Sequence, residues 1–315
     1  MGMSALTSSV LSRLRPDTPV VKRVREPFRD RVFLIVVTIM LVVILALVLL
    51  PLIYIVASSF SSASAVSAGR VSFWPVEFSL RAYKEALSNP QVLRGYYNSL
   101  FYATAGTLIS VTLTVAIAYP LSRKRFFGRN VLMTGLIFTM LFSGGLIPTY
   151  MVVQDLGMLN TRWALLIPNA IGVWQVIIAR TFFANSIPEE LHEAAMLDGA
   201  SELRYLRSVV LPLSKPLLAV LTLMYVIWQW NTYFDALVYL KDPDLYPLQI
   251  VLRNMLVLNT RGVGATNMAQ QMAQQQLANV LKYALIVVSS VPVLIIYPFI
   301  ARHFTKGVMV GAVKG

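Results

Sequence analysis

Residues able to do acid–base, metal or nucleotide chemistry are scarce in this chain: 14 Asp and Glu and 2 His stand in 315 residues of which 57% are hydrophobic. Several of them gather in one stretch, Glu189-Glu190-Leu191-His192-Glu193-Ala194-Ala195-Met196-Leu197-Asp198-Gly199-Ala200, which runs on to Val209-Val210-Leu211-Pro212. His192 and His303 are in no metal-ligand pair and Cys is absent, so a zinc or thiolate site has no ligand set. No G-x-x-x-x-G-K-[ST] loop is present to bind ATP. The long apolar runs hold no Asp, Glu or His well inside them, and Arg180, Asp235 and Lys282 fall near their ends. Proton coupling usually needs such buried titratable groups, which counts against a proton-driven carrier. Sodium coupling through carbonyls and hydroxyls stays open.

What the polar stretch can do is dock. Ser186-Ile187-Pro188-Glu189 has the form of a capping box, which predicts a helix from about Ile187 to about Leu197 with acids at its positive end. Asp198-Gly199 then interrupts it, and a second helix is predicted from Ala200 to about Val210. Leu191, Ala194 and Ala195 fall on one face of the first helix. Two short helices joined by a Gly turn make a compact knob, and its small Ala residues allow the close approach of helix-in-groove recognition. An ordinary solvated interfacial hairpin fits the same residues.

The elements around the knob are apolar. Only 13% of the residues are charged, too little polar surface for a soluble globular protein, so the chain reads as an all-α integral membrane protein with one domain. Six transmembrane helices are predicted, at about 32–57, 97–121, 131–153, 163–183, 216–234 and 277–300, within a domain of residues 32–301. The third is interrupted by Ser143-Gly144-Gly145 and Pro148 and is expected to bend. Residues 185–213 form the knob's loop, 235–276 a long polar loop, and 80–87 a short amphipathic helix. The first 31 residues are a basic tail and 302–315 a C-terminal tail, both cytoplasmic. With both termini inside, 18 of the 27 Lys and Arg lie on inside segments: seven in the N-terminal tail, four in 122–130, four at or near the knob and three in the C-terminal tail. The positive-inside rule supports that placement. It also accounts for the formal charge of +13 without nucleic acid, for which no binding module is visible.

Glu193-Ala194-Ala195, Gly199 and Val209-x-Leu211-Pro212 resemble the EAA loop of inner-membrane permease subunits of binding-protein-dependent ABC importers, with Val209 where Ile is more usual. Gly144-Gly145-Leu146-Ile147-Pro148, Trp230-Asn231-x-Tyr233-Phe234-Asp235, Tyr246-Pro247-Leu248-Gln249 and the terminal 306–315 segment make the chain similar to the carbohydrate-uptake group, which includes the maltose-transporter permeases. The resemblance implies a type I importer architecture with a cytoplasmic coupling helix. It also implies a second homologous permease, two cytoplasmic ABC ATPase subunits, an extracytoplasmic solute-binding protein, a sugar substrate and a prokaryotic plasma (inner) membrane location. It implies no catalysis by this chain and no cofactor. It assigns ATPase coupling to Glu193, Ala194, Ala195, Asp198 and Gly199. A secondary carrier or membrane scaffold without an ATPase is the other reading of such a bundle. Sugar recognition needs amides and aromatic faces near the bilayer midplane, which makes Trp174, Gln175, Trp228, Gln229, Trp230, Asn231 and Tyr233 the substrate-path candidates. The same residues also suit interfacial belts and helix–helix contacts.

Overall fold

The computed structural model describes residues 28–258 and 268–312, and the chain divides into two units, residues 1–52 and 53–315. All regular elements among the described residues are helical. In the first unit, residues 28–52 belong to helix α1 (Phe28–Ser59), whose 32 residues span about 48 Å, more than the hydrocarbon core of roughly 30 Å.

The second unit is built on α2 (Pro90–Ser122). Asn89 accepts a hydrogen bond from the Gln91 N–H at 2.9 Å and Pro90 fills the first turn, so the helix starts where a cap and a pre-set φ coincide. Gly95, Ser99, Ala103, Gly106, Ser110 and Thr114 are all buried along it. Small residues recurring every third or fourth position let neighbouring backbones come close, which is what packs helices where lipid supplies no hydrophobic drive. Around α2 lie α3 (Arg129–Leu141), α5 (Val173–Ser186), α7 (Lys215–Trp230) and α8 (Leu248–Leu258), with α9 (Met268–Ala312) against α7 and α8.

The third predicted span does break. α3 and α4 (Leu146–Asp155) meet at 114°, and at about 20 Å and 15 Å neither crosses a bilayer alone. Among the described residues three helices are long and apolar enough by length and composition to cross, or up to five if each bent pair is one span. The predicted stretch 163–183 accounts for the difference from six. It is helical over Trp163–Leu166, opens at Ile167-Pro168-Asn169, and resumes only at Val173.

The polar loop predicted over 235–276 is largely helix. Phe234–Tyr239 and α8 are helical, and Met268–Gln276 is the start of α9, in line with the helix propensity of Met, Ala and Gln. Residues 244–248 are strapped to α2: Asn98 Nδ2 donates to the Asp244 carbonyl at 2.8 Å and the Tyr246 carbonyl at 3.1 Å. The Tyr102 hydroxyl donates to the Leu245 carbonyl at 2.9 Å, and the Leu248 N–H donates to Ser99 Oγ at 2.8 Å. The short helix predicted at 80–87 is found at Arg81–Ser88. The basic tail up to residue 27, residues 259–267 and residues 313–315 lie outside the described residues.

Candidate functional site

The knob is a hairpin at the C-terminal end of α2. Its first helix, α6 (Glu189–Leu197), starts two residues later than the capping box implies, and that box is not formed. α5 runs on to Ser186, which puts this residue inside a helix end, and Pro188 stands at the N-cap with no side-chain hydrogen bond. Ile187, buried between the two helices, carries the chain across.

The end of α6 follows from Gly199. Its φ of +75 is the left-handed conformation that costs glycine little, and it closes both bonds of a Schellman motif. The Gly199 N–H donates to Met196 O at 3.0 Å and the Ala200 N–H to Ala195 O at 2.9 Å. Ser201 caps the next turn, Glu202–Tyr205, by accepting from the Arg204 N–H at 3.4 Å. A π-helical turn at Leu206–Val210 leads to Leu211–Leu213, and the chain bends by 81° into α7.

The hairpin has two faces. His192, Tyr205 and Val210 are buried in the core shared with Tyr119, Phe183 and Leu217, and Ala195 and Met196 pack partly against it. Leu191, Glu193, Ala194, Leu197, Asp198, Gly199 and Leu203 face outward. Leu197 is 89% exposed and Leu203 57%. Ala195 therefore belongs to the inward side, not with Leu191 and Ala194. Glu193 meets the Arg125 guanidinium at 3.6 Å, an exposed pair of small energetic value.

On the anchored side lies a polar cluster whose central carboxylate, Glu202, is still 62% exposed. His192 Nε2 and Glu202 Oε1 share a hydrogen bond of 2.8 Å, and the Tyr119 hydroxyl donates to Glu202 Oε2 at 2.9 Å. The Arg123 guanidinium lies 4.8 Å over the Tyr119 ring and 5.4 Å over the Tyr205 ring, and the His192 ring meets Tyr205 edge-on at 5.2 Å. Partial burial pushes the Glu202 carboxyl up, but the hydrogen bonds from His192 and Tyr119 and the nearby charges of His192 and Arg123 outweigh it and hold the group below the usual carboxylate range. Its stabilising contribution is therefore complete above that range and fades as pH falls through the lowered value. The cluster was not legible from spacing, because Tyr119 and Glu202 are 83 residues apart. Among the described residues no His, Cys, Asp or Glu group is arranged to hold a metal.

The substrate-path candidates are not brought into one place. Trp230 is buried, its Nε1 donates to the Ser289 carbonyl at 3.1 Å, and its ring packs edge-on against Tyr96. Gln229 is buried against Gly106, with no hydrogen-bond partner for its Oε1 among the described residues. Gln175 folds over Gly172, whose N–H donates to the Tyr225 hydroxyl at 3.2 Å, supplying a partner for the open end of α5. Trp174 and Trp228 are each 57% exposed, and Asn231 Nδ2 donates to the Ile227 carbonyl at 2.8 Å. Trp230, Asn231 and Tyr233 do line an open cavity of about 740 Å³, together with Gln249, Arg253, Ser289 and Ser290. Gln249 and Arg253 are one helical turn apart on α8, a spacing with meaning only once that segment is known to be a helix.

No family model matches the chain. It is 41% identical over 259 residues to Protein LplC of Bacillus subtilis (strain 168), covering 82% of this chain and 87% of that protein. It is 40% identical to the polygalacturonan/rhamnogalacturonan transport system permease protein YtcP of the same organism, covering 82% and 90%. The galactooligosaccharides transport system permease protein GanQ, also from Bacillus subtilis (strain 168), is 31% identical over 75% of this chain and 78% of its own. The fold superposes with a TM-score of 0.80 and 36% identity on a chain in the crystal structure of a bacterial ABC transporter involved in the import of the acidic polysaccharide alginate, over 89% of this chain and 99% of that one. Shared sequence across most of both lengths and the shared helical fold agree: the chain belongs to the sugar permeases of ABC importers, their non-catalytic membrane subunits.

Proposed function

We propose that this chain forms half of the translocation pathway for an oligosaccharide, beside a second homologous permease, and that its hairpin 189–213 couples the pathway to two cytoplasmic ATPase subunits. The observation that carries this reading is the outward face of the hairpin. Leu197 and Leu203 are exposed beside Ala194, Gly199 and the acids Glu193 and Asp198, while His192 and Tyr205 anchor the other side. An apolar tip rimmed by charge on a rigid base is what a groove-binding helix presents. In this arrangement α3 and α4 make one broken span, residues 163–183 make the fourth of six, and both termini are cytoplasmic. An extracytoplasmic binding protein delivers the sugar. Co-expressed with its second permease and the ATPase subunits, the chain is expected to retain both through purification, with ATP hydrolysis confined to the assembled complex. A permease pair that imports sugar without ATPase subunits would refute the coupling.

The sugar is read as acidic. Relatives serve polygalacturonan and alginate by name, and the cavity beside Trp230 carries Arg253 with no Asp or Glu among the described residues of its lining. A guanidinium pairs with carboxylate in a fixed fork while Tyr233, Asn231 and Gln249 suit hydroxyls. Arg253→Gln is expected to raise the KM for trigalacturonate uptake by roughly tenfold, the effect of losing one charge-assisted bond. Uptake of the methyl-esterified trisaccharide, measured in parallel, is expected to stay unchanged. Equal losses for both sugars would remove Arg253 from carboxylate recognition.

A further inference from the structure

The polar cluster under the hairpin joins three separate segments. His192 comes from α6, Glu202 from the capped turn after Gly199, and Tyr119 and Arg123 from the C-terminal end of α2 and the residue beyond it. One carboxylate makes the connection, since each Glu202 oxygen holds a different segment. Around it the contacts are apolar, from Ala195, Met196, Leu206 and Val209. Apolar contacts resist separation but tolerate sliding, because they are non-directional. Hydrogen bonds of 2.8 and 2.9 Å to the two oxygens of one carboxylate are directional and do not tolerate it. His192 Nδ1, the Tyr205 hydroxyl and Arg123 Nε are buried there with no hydrogen-bond partner among the described residues.

We propose that Glu202, with His192, Tyr119 and Arg123, is a latch that locks the docking hairpin to α2 so that displacement of the hairpin is delivered to that helix as a rigid-body movement. These are positioning residues: none meets the sugar or the nucleotide. The inference rests on the reading of the hairpin as the ATPase contact. α2 is the helix against which α5, α7 and α8 pack, so moving it moves the bundle.

The chain has no Cys, which allows paired spin labels at Leu93→Cys and Ser208→Cys, both at exposed positions and neither among the residues assigned to the docking face. They report the distance from the far end of α2 to the hairpin, on the order of 40 Å along the helix. In the complex with its second permease and ATPase subunits, the labelled chain is expected to keep one narrow distance between the resting and the ATP–vanadate-trapped states. With Tyr119→Phe or Glu202→Gln the distance is expected to shift or broaden on trapping by more than about 2 Å, the scale of helix shifts in switching proteins. The double variant is expected to be no worse than either single, since both break one connection. A distance that changes on trapping in the otherwise unsubstituted chain, or that stays narrow in both single variants, would overturn the latch. Should Glu202→Gln fail to assemble, Glu202→Asp, which keeps the charge and shortens the reach, decides: a narrow, unmoving distance there overturns the latch as well. Cross-linking of Leu197→Cys to the ATPase subunit keeps the two readings apart. Absence of that cross-link counts against the docking itself, whereas a cross-linked complex with an unmoved distance in the variants counts against the latch alone.

Discussion

Leu197→Glu is expected to strip the ATPase subunits from the purified complex and abolish ATP-driven uptake while leaving the permease folded. Leu197 is 89% exposed, so its substitution removes almost no contact within the chain, and surface changes of this kind stay within about 0.5 kcal/mol. If the side chain is buried in an ATPase groove, its loss costs about 2 kcal/mol of apolar burial, and an unpaired carboxylate in that groove adds more. A total of roughly 3 kcal/mol weakens the contact about a hundredfold. Gly199→Leu is the companion test. A Cβ at Gly199 meets nothing within 4 Å, so the local penalty is the left-handed backbone alone, about 1 kcal/mol, but the side chain would stand on the face proposed to dock. The measurements are ATPase retained per permease after size-exclusion chromatography and ATP-dependent uptake in proteoliposomes. Full retention in both variants would refute the hairpin as the contact.

The second large effect is expected inside the bundle. Gly95→Val is expected to destabilise the chain by about 2 kcal/mol through overpacking, seen as a lower midpoint of thermal unfolding in detergent and a smaller monodisperse fraction. A Cβ at Gly95 would lie 3.0 Å from Val251 Cγ2 and 3.2 Å from Leu248 Cα. The first of these neighbours can shift but the second is backbone, held by the bond from the Leu248 N–H to Ser99 Oγ. Val251→Ala in the same chain is therefore expected to restore part of the stability and not all of it. At Gly106 the atoms in the way are the amide end of Gln229, a flexible side chain, so Gly106→Ala is expected to cost less than Gly95→Val. A Gly95→Val chain as stable as its parent would mean that α2 and α8 are not held at this distance.

The residue pattern alone determined the class of the protein and the position of the knob. Its apolar runs are long enough to demand a membrane, and Gly199 three residues past Met196 marks a turn that only local backbone geometry has to satisfy. Both signals are local in the chain, and local signals survive without knowledge of the fold. The pattern misplaced the start of α6, because Ser186 was free to be a cap only if α5 ended earlier, which its packing does not allow. It read 235–276 as a loop because the groups that fix this segment, the carbonyls of Asp244, Leu245 and Tyr246 and the Leu248 N–H, find their partners far away in sequence. Their partners are Asn98, Ser99 and Tyr102, about 150 residues away, and α8 buries its apolar face on the same helix. In the sequence His192 stands in no metal-ligand pair, and its spacing shows no other partner. Only the tertiary structure set Glu202 between it and Tyr119, since hydrogen bonds between distant segments follow from how helices pack and leave no period or spacing in the sequence.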